Sequence, residues 1–168
     1  DERFSEDALR MLRAVRFACV LNFEIEKKTF EAIKYNASRI EHISKERIQA
    51  ELNKILMSSK PSRGIRLLLD SKLLDYILPE ISRLSGFDQH NPFHHLELLE
   101  HTLCVLDKVE PRLQLRLAAL FHDSGKIDTV TLDENGIGHF YGHDSVSEDI
   151  TKSVLKRLRY SNEIIELT

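Results

Sequence analysis

The 168-residue sequence has no apolar run long enough to cross a membrane and no signal-like opening segment, so a cytoplasmic protein is expected. It has only two cysteines, Cys19 and Cys104, and no CxxC spacing. Both fall on apolar helix faces and read as reduced core residues, which leaves no thiolate framework for a metal or a disulfide scaffold. No excess of one charge is present either: 24 Lys and Arg against 27 Asp and Glu leave a net charge of −3. That excludes broad, non-specific nucleic-acid binding, and any RNA or nucleotide contact must be local. Internal repeats and low-complexity tracts are absent. With 42% hydrophobic and 30% charged residues, the chain is ample for a folded core and for two small helical modules in series.

Helical periodicity dominates 5–22, 27–40, 44–57, 62–75, 96–108, 112–123 and 144–158. Ser58 to Ser62 makes a short connector, and the stretch from Ser85 to Pro92 a longer break. The expected fold is therefore mainly α, a helical module over 1–85 followed by a second helical bundle over 86–168. The strand signal is confined to 129–132 and 137–140 around Asp133-Glu134-Asn135-Gly136, where Asn-Gly predicts a small β-hairpin.

His122-Asp123, followed by Ser124-Gly125-Lys126, carries the densest chemistry. Adjacent His and Asp residues can place an imidazole nitrogen and a carboxylate oxygen on one ion, a donor set that suits Mn, Fe, Ni, Zn or Mg. The apolar run Leu115 to Phe121 predicts a buried helix delivering the pair to its C-terminal end, with Gly125 as a helix stop. His101 lies inside an amphipathic helical stretch, and His143-Asp144 follows Gly142 and opens another helix. This order of one His, an HD pair and a further His resembles the HD phosphohydrolase superfamily. The resemblance implies metal ligation by His101, His122 and Asp123, with His143 as an extra histidine. It also implies a distal Asp on a later helix, for which Asp144 and Asp149 are substitutes. Asp123 would orient or deprotonate a water beside the metal, with His122 as its catalytic neighbour. His94 and His95 read as helix-entry residues or substrate contacts. Lys126 and Lys152 are the nearby cations to consider for phosphate contact, although a solvated surface position is the simpler expectation for both.

At the start of the chain, Ser5 is a suitable N-cap with Glu6 and Asp7 in the first turn. On a helical wheel Ala8, Met11, Leu12, Val15, Ala18 and Cys19 share one arc, while Asp7, Arg10, Arg13 and Arg16 step round the other. A solvated face with a weak Asp7–Arg10 pair is the simpler explanation. Glu6-Asp7-Ala8-Leu9-Arg10 with Arg13, Arg16 and Phe17, however, resembles the neck of class II tRNA nucleotidyltransferases, the CCA-adding enzymes and their poly(A) polymerase relatives. The resemblance continues through Ile43 to Ile48 with Glu51-Leu52, through Leu73 to Glu80, and into the HD segment.

That resemblance implies that Asp7 and Arg10 form an amino-acid template for the incoming nucleotide, with Arg13 and Arg16 completing a nucleotide-binding face. The chemistry is coherent: cytosine and adenine each present an amino donor beside a ring-nitrogen acceptor, which a carboxylate and a guanidinium complement. Uracil and guanine present the inverse pattern and would leave buried groups unpaired. The implied partners are the tRNA 3′ end, CTP and ATP. The implied cofactor is a divalent metal, Mg in a catalytic head and Mn, Ni, Co, Fe or Mg in the HD site. Nucleotidyl transfer in that family needs a β-sheet head with a Gly-Ser motif and paired carboxylates holding two Mg ions. These residues do not supply it, so the chain is expected to be a later part of a longer polypeptide, shortened at its C-terminus, that does not add nucleotides alone. CCA addition and poly(A) synthesis share these signatures. A free-standing HD phosphohydrolase acting on phosphomonoesters or 2′,3′-cyclic phosphates is the alternative, and a non-catalytic RNA-binding scaffold is the third.

Overall fold

A computed structural model describes residues 2–90 and 96–168. His94 and His95 lie outside the described residues. The chain forms α1 (Glu2–Glu6), α2 (Leu9–Val20), α3 (Lys27–Asn36), a 3-10 turn (Ala37–His42), α4 (Lys45–Leu56), α5 (Pro61–Asp70), α6 (Leu73–Ile77) and α7 (Pro79–Ser82). It continues with α8 (Leu98–Lys108), α9 (Leu113–Phe121), α10 (Lys126–Thr129), β1 (Thr131–Leu132), β2 (Gly138–His139), α11 (His143–Arg157) and α12 (Asn162–Leu167). The fold is mainly α, as the periodicity predicts, and the sole sheet among the described residues is the antiparallel hairpin pairing Thr131 with His139.

The apolar arc of α2 does what its spacing dictates. Leu9, Met11, Leu12, Val15, Ala18 and Cys19 are all buried, packed on α4 and α5. The helix nevertheless does not begin at Ser5. Ser5 lies inside α1, and the chain breaks at Asp7, whose Oδ1 accepts from the Leu9 N–H at 3.1 Å. An aspartate that satisfies a backbone donor two residues on competes with the helical bond and starts a new helix there. The expected 62–75 helix is likewise broken, at Ser71-Lys72, where Lys72 takes φ 65°. Helix α12 is an element the periodicity does not reveal; Ser161 opens it by accepting from Ile164 N at 3.4 Å.

A continuous buried cluster runs from Phe4 to Tyr160 through both halves of the chain. Where α5 meets α8, Ser62 donates to Asp107 at 2.7 Å and Arg66 forms a two-pronged pair with Glu100. Arg157 grips Glu80 in the same way. Helix α4 touches α2 on one side and α9 on the other. Cys19 is buried as expected, but Cys104 is exposed, because α8 turns that edge away from α5 and α9. No helix among the described residues is long and apolar enough to cross a membrane.

Candidate metal centre and nucleotide-facing helix

Helix α9 buries Leu117, Leu120 and Phe121 and ends on His122. The turn that follows is tight: Ser124 N donates to Phe121 O at 2.9 Å, and Lys126 N to Asp123 O at 3.1 Å. Gly125 makes the turn possible, since a Cβ there would lie 2.4 Å from the carbonyl oxygen of His143 and 2.7 Å from Ser147 N. That close approach seats the start of α11, and hence His143, against the HD pair. Packing of α8 on α9 brings His101 alongside, its ring centroid 5.5 Å from that of His122.

The four residues converge on one carboxylate. His122 Nε2 lies 3.3 Å and His101 Nε2 3.7 Å from Asp123 Oδ2, while His143 Nε2 lies 3.6 Å from Oδ1. Ligand atoms of His101, His122 and Asp123 all fall within 4.8 Å of one another. Two of the rings are oriented by backbone carbonyls: His122 Nδ1 donates to Ala119 O at 2.9 Å, and His143 Nδ1 to Phe140 O at 2.8 Å. Such bonds fix the tautomer and turn each Nε2 lone pair inward. Asp123 Oδ2 is fully buried yet has no hydrogen bond of good angle. Lone pairs aimed at a buried, under-satisfied carboxylate oxygen fit a divalent cation among them. Ligands about 2.0–2.2 Å from an ion sit roughly 3–3.6 Å from one another, close to the spacings seen.

Charge at the centre is strongly coupled. Burial raises the Asp123 carboxyl, but His122 and Lys126 outweigh it and hold the group far below the usual carboxylate range. Burial lowers His122, but hydrogen bonding and attraction to Asp123 win, and the imidazole is raised above its usual range. A raised imidazole fills with a proton as pH falls, and a protonated ring cannot ligate. Metal affinity is therefore expected to fall as pH is lowered through the range in which the raised imidazole takes up its proton, in titrations of Mn at fixed ionic strength. Affinity unchanged across that window would mean that His122 is not a ligand.

Lys126 departs from the expected surface position. It is 8% exposed, with Nζ 2.9 Å from Asp123 Oδ2 and 5.4 Å from the Phe140 ring. Lys152 is exposed and paired with Glu148. Asp144 and Asp149, the substitutes for a distal Asp, are both exposed and outside the cluster. A cleft of about 540 Å³ opens beside His122, floored by Phe121 and Ile165 and walled by Asp144, Glu148 and Lys152.

At the N-terminal helices, Asp7 and Arg10 are not paired with each other. Asp7 Oδ2 accepts from Arg47 Nη2 at 2.9 Å, and Arg10 Nη1 donates to Glu6 Oε2 at 2.8 Å and to Arg3 O at 3.2 Å. Burial raises the Asp7 carboxyl, and the Leu9 N–H, Arg47 and Arg10 together more than offset it, so it stays a charged acceptor. Asp7 faces a cleft of about 480 Å³ lined also by Phe4, Arg39, His42 and Arg47. Arg13 is exposed as expected, but Arg16 is not a solvated cation. Its Nε lies 2.6 Å from buried Glu51 Oε2, and its guanidinium stacks 3.9 Å over Phe17. Arg47 and Glu51, one turn apart on α4, thus hold the two ends of the arginine face. Arg16→Ala strands a buried carboxylate that, among the described residues, retains Lys54 at 3.1 Å. It should cost about 1–3 kcal/mol in denaturant unfolding, whereas Arg13→Ala should stay within about 0.5 kcal/mol.

Two family models match most of this chain. A family model described as the probable RNA and SrmB-binding site of polymerase A matches residues 22–84, and an HD-domain model matches 93–168. A CC-adding tRNA nucleotidyltransferase of Thermus thermophilus is 37% identical over 99% of this chain and 41% of its own length. Together these matches fit the C-terminal region of a tRNA nucleotidyltransferase. An A-adding tRNA nucleotidyltransferase of Deinococcus radiodurans is 36% identical over 95% of the chain and 39% of its own length. A CCA-adding enzyme of Pediococcus pentosaceus is 47% identical over 60% of the chain and 25% of its own length. The chain thus spans about two fifths of the first two relatives. The HD match and the donor set both fit use of a divalent metal.

Proposed function

We propose that this chain is the nucleotide-selecting and RNA-holding region of a cytoplasmic tRNA nucleotidyltransferase, joined to an HD unit that hydrolyses phosphate esters with a divalent metal. Residues 1–85 form the first unit and 86–168 the second. In the full-length protein the substrates would be the tRNA 3′ end, CTP and ATP. The near-complete match of this chain to relatives named for CC and A addition supports that over a free-standing HD phosphohydrolase. For the HD unit, the observation that carries the reading is the convergence of His101, His122 and Asp123 within 4.8 Å.

The chain's own residues supply most of the hydrolytic arrangement. His101, His122 and Asp123 would hold the metal, and His143 would complete its surroundings. When bound, the metal polarises a phosphoryl oxygen and makes water a better nucleophile at neutral pH. Ala119 O and Phe140 O keep His122 and His143 in the ligating tautomer. Asp123, ionised by its neighbours, is able to orient a water or accept its proton. The cleft beside His122 leaves room for the rest of the ester. In the selecting unit, Asp7 and Arg10 would read the base edge, while Arg13 and Arg16 organise the nucleotide. Transfer itself would need catalytic carboxylates that these residues do not provide, so this chain alone should not extend tRNA.

Hydrolysis of p-nitrophenyl phosphate and of a 2′,3′-cyclic nucleotide, with Mn, Ni or Co added, tests the second half of the proposal. Weak activity that disappears with chelator is expected. Full activity in the presence of chelator would exclude a metal mechanism.

A further inference from the structure

We propose that Lys126 sets the charge of the metal centre, loosening its hold on the metal ion and tightening its hold on the phosphate group that the metal faces. This rests on the reading of the centre as a metal-dependent phosphohydrolase site. A lysine is seldom buried unless it is paired, and Lys126 is 8% exposed. Its place is fixed from three sides. The tight turn puts it three residues after Asp123, its Nζ lies 2.9 Å from Asp123 Oδ2, and the Phe140 ring stands 5.4 Å away. Phe140 also offers the carbonyl that orients His143. Lys126 is therefore wedged between the HD turn and the segment that positions His143.

The electrostatic consequence has a definite sign. The oxygen that Lys126 contacts lies 3.3 and 3.7 Å from the nitrogens of His122 and His101. Any cation held by those three groups shares its carboxylate with the ammonium and sits a few ångströms from it. Two positive charges so close, in a partly buried setting, repel each other appreciably. The same pair attracts a phosphate more strongly than the metal alone would. Among the described residues, Lys126 is the sole Lys or Arg within ion-pair distance of Asp123. Lys152, on the wall of the cleft beside His122, is paired with Glu148. A purely structural lysine would have a different signature, since its loss would slacken the site and weaken both ligands together.

The test is calorimetric titration of MnCl2, and then of inorganic phosphate into the Mn-loaded protein, for wild type, K126M and K126R. K126M should bind Mn about 10-fold more tightly and phosphate about 10-fold more weakly, while K126R stays within about 3-fold of wild type in both. If K126M does not fold, K126Q, neutral and still able to donate to Asp123, carries the same expectation. Mn binding that is unchanged or weaker in the neutral variant overturns the proposal while leaving the metal centre standing. Phosphate binding indifferent to the substitution overturns it equally. Failure of the wild-type protein to bind Mn overturns the metal reading itself, and this proposal with it.

Discussion

Asp123→Ala should eliminate metal-dependent hydrolysis and also cost the fold about 3–5 kcal/mol. The first effect follows from geometry, because Asp123 is the residue on which His101, His122 and His143 all converge. The second follows from burial: its side chain is 5% exposed and partners Lys126, itself 10% exposed. Removing one member of a buried pair leaves the other charge without compensation. The two losses can be separated. Asp123→Asn keeps the shape and some hydrogen bonding, so it should unfold at lower denaturant than wild type but remain folded at 25 °C. It should still bind metal at least 10-fold more weakly and show no hydrolysis above background. Activity that survives in folded Asp123→Asn would remove Asp123 from the mechanism.

Base selection should respond just as clearly in the intact enzyme. Good bidentate contacts to a base edge are worth about 1–3 kcal/mol of discrimination each. Asp7→Ala and Arg10→Ala should therefore relax selection roughly 5- to 150-fold, lowering C and A incorporation and letting U or G compete, with RNA binding nearly unchanged. The structure adds a graded control. Arg47 holds Asp7 at 2.9 Å from another helix, so Arg47→Ala should misplace the carboxylate and give a smaller relaxation in the same direction. Arg13→Ala and Arg16→Ala should lower nucleotide affinity or order without reversing preference. Equal losses for all four nucleotides in every variant would make the arginine face an electrostatic patch and not a template.

The sequence was most legible where chemistry and periodicity coincide. An apolar run ending on His122-Asp123 implies a buried helix that delivers a polar pair, and α9 is that helix. Gly142 before His143 marks a helix start for the same kind of reason, with φ 75° at the glycine. What could not be read depends on partners distant in sequence. Arg16 looks like a solvated cation until Glu51 is brought against it, and Asp7 looks like a helix-turn carboxylate until Arg47 arrives from 40 residues away. Lys126 looks exposed because a lysine after a glycine usually is; only the fold of α11 over Gly125 buries it. The helix break at Asp7 did have a local signal, since an aspartate able to cap a backbone N–H two residues on competes with helix continuation. The short helices α6, α7 and α12 have too few residues for a period to register.

The most direct measurement is an anomalous difference map from crystals of the protein soaked with Mn. One strong peak is predicted, bounded by Nε2 of His101, Nε2 of His122 and the Asp123 carboxylate, with His143 Nε2 facing it. A peak held by other residues, or none at that position in the presence of excess Mn, would contradict the assignment of this cluster as the metal centre.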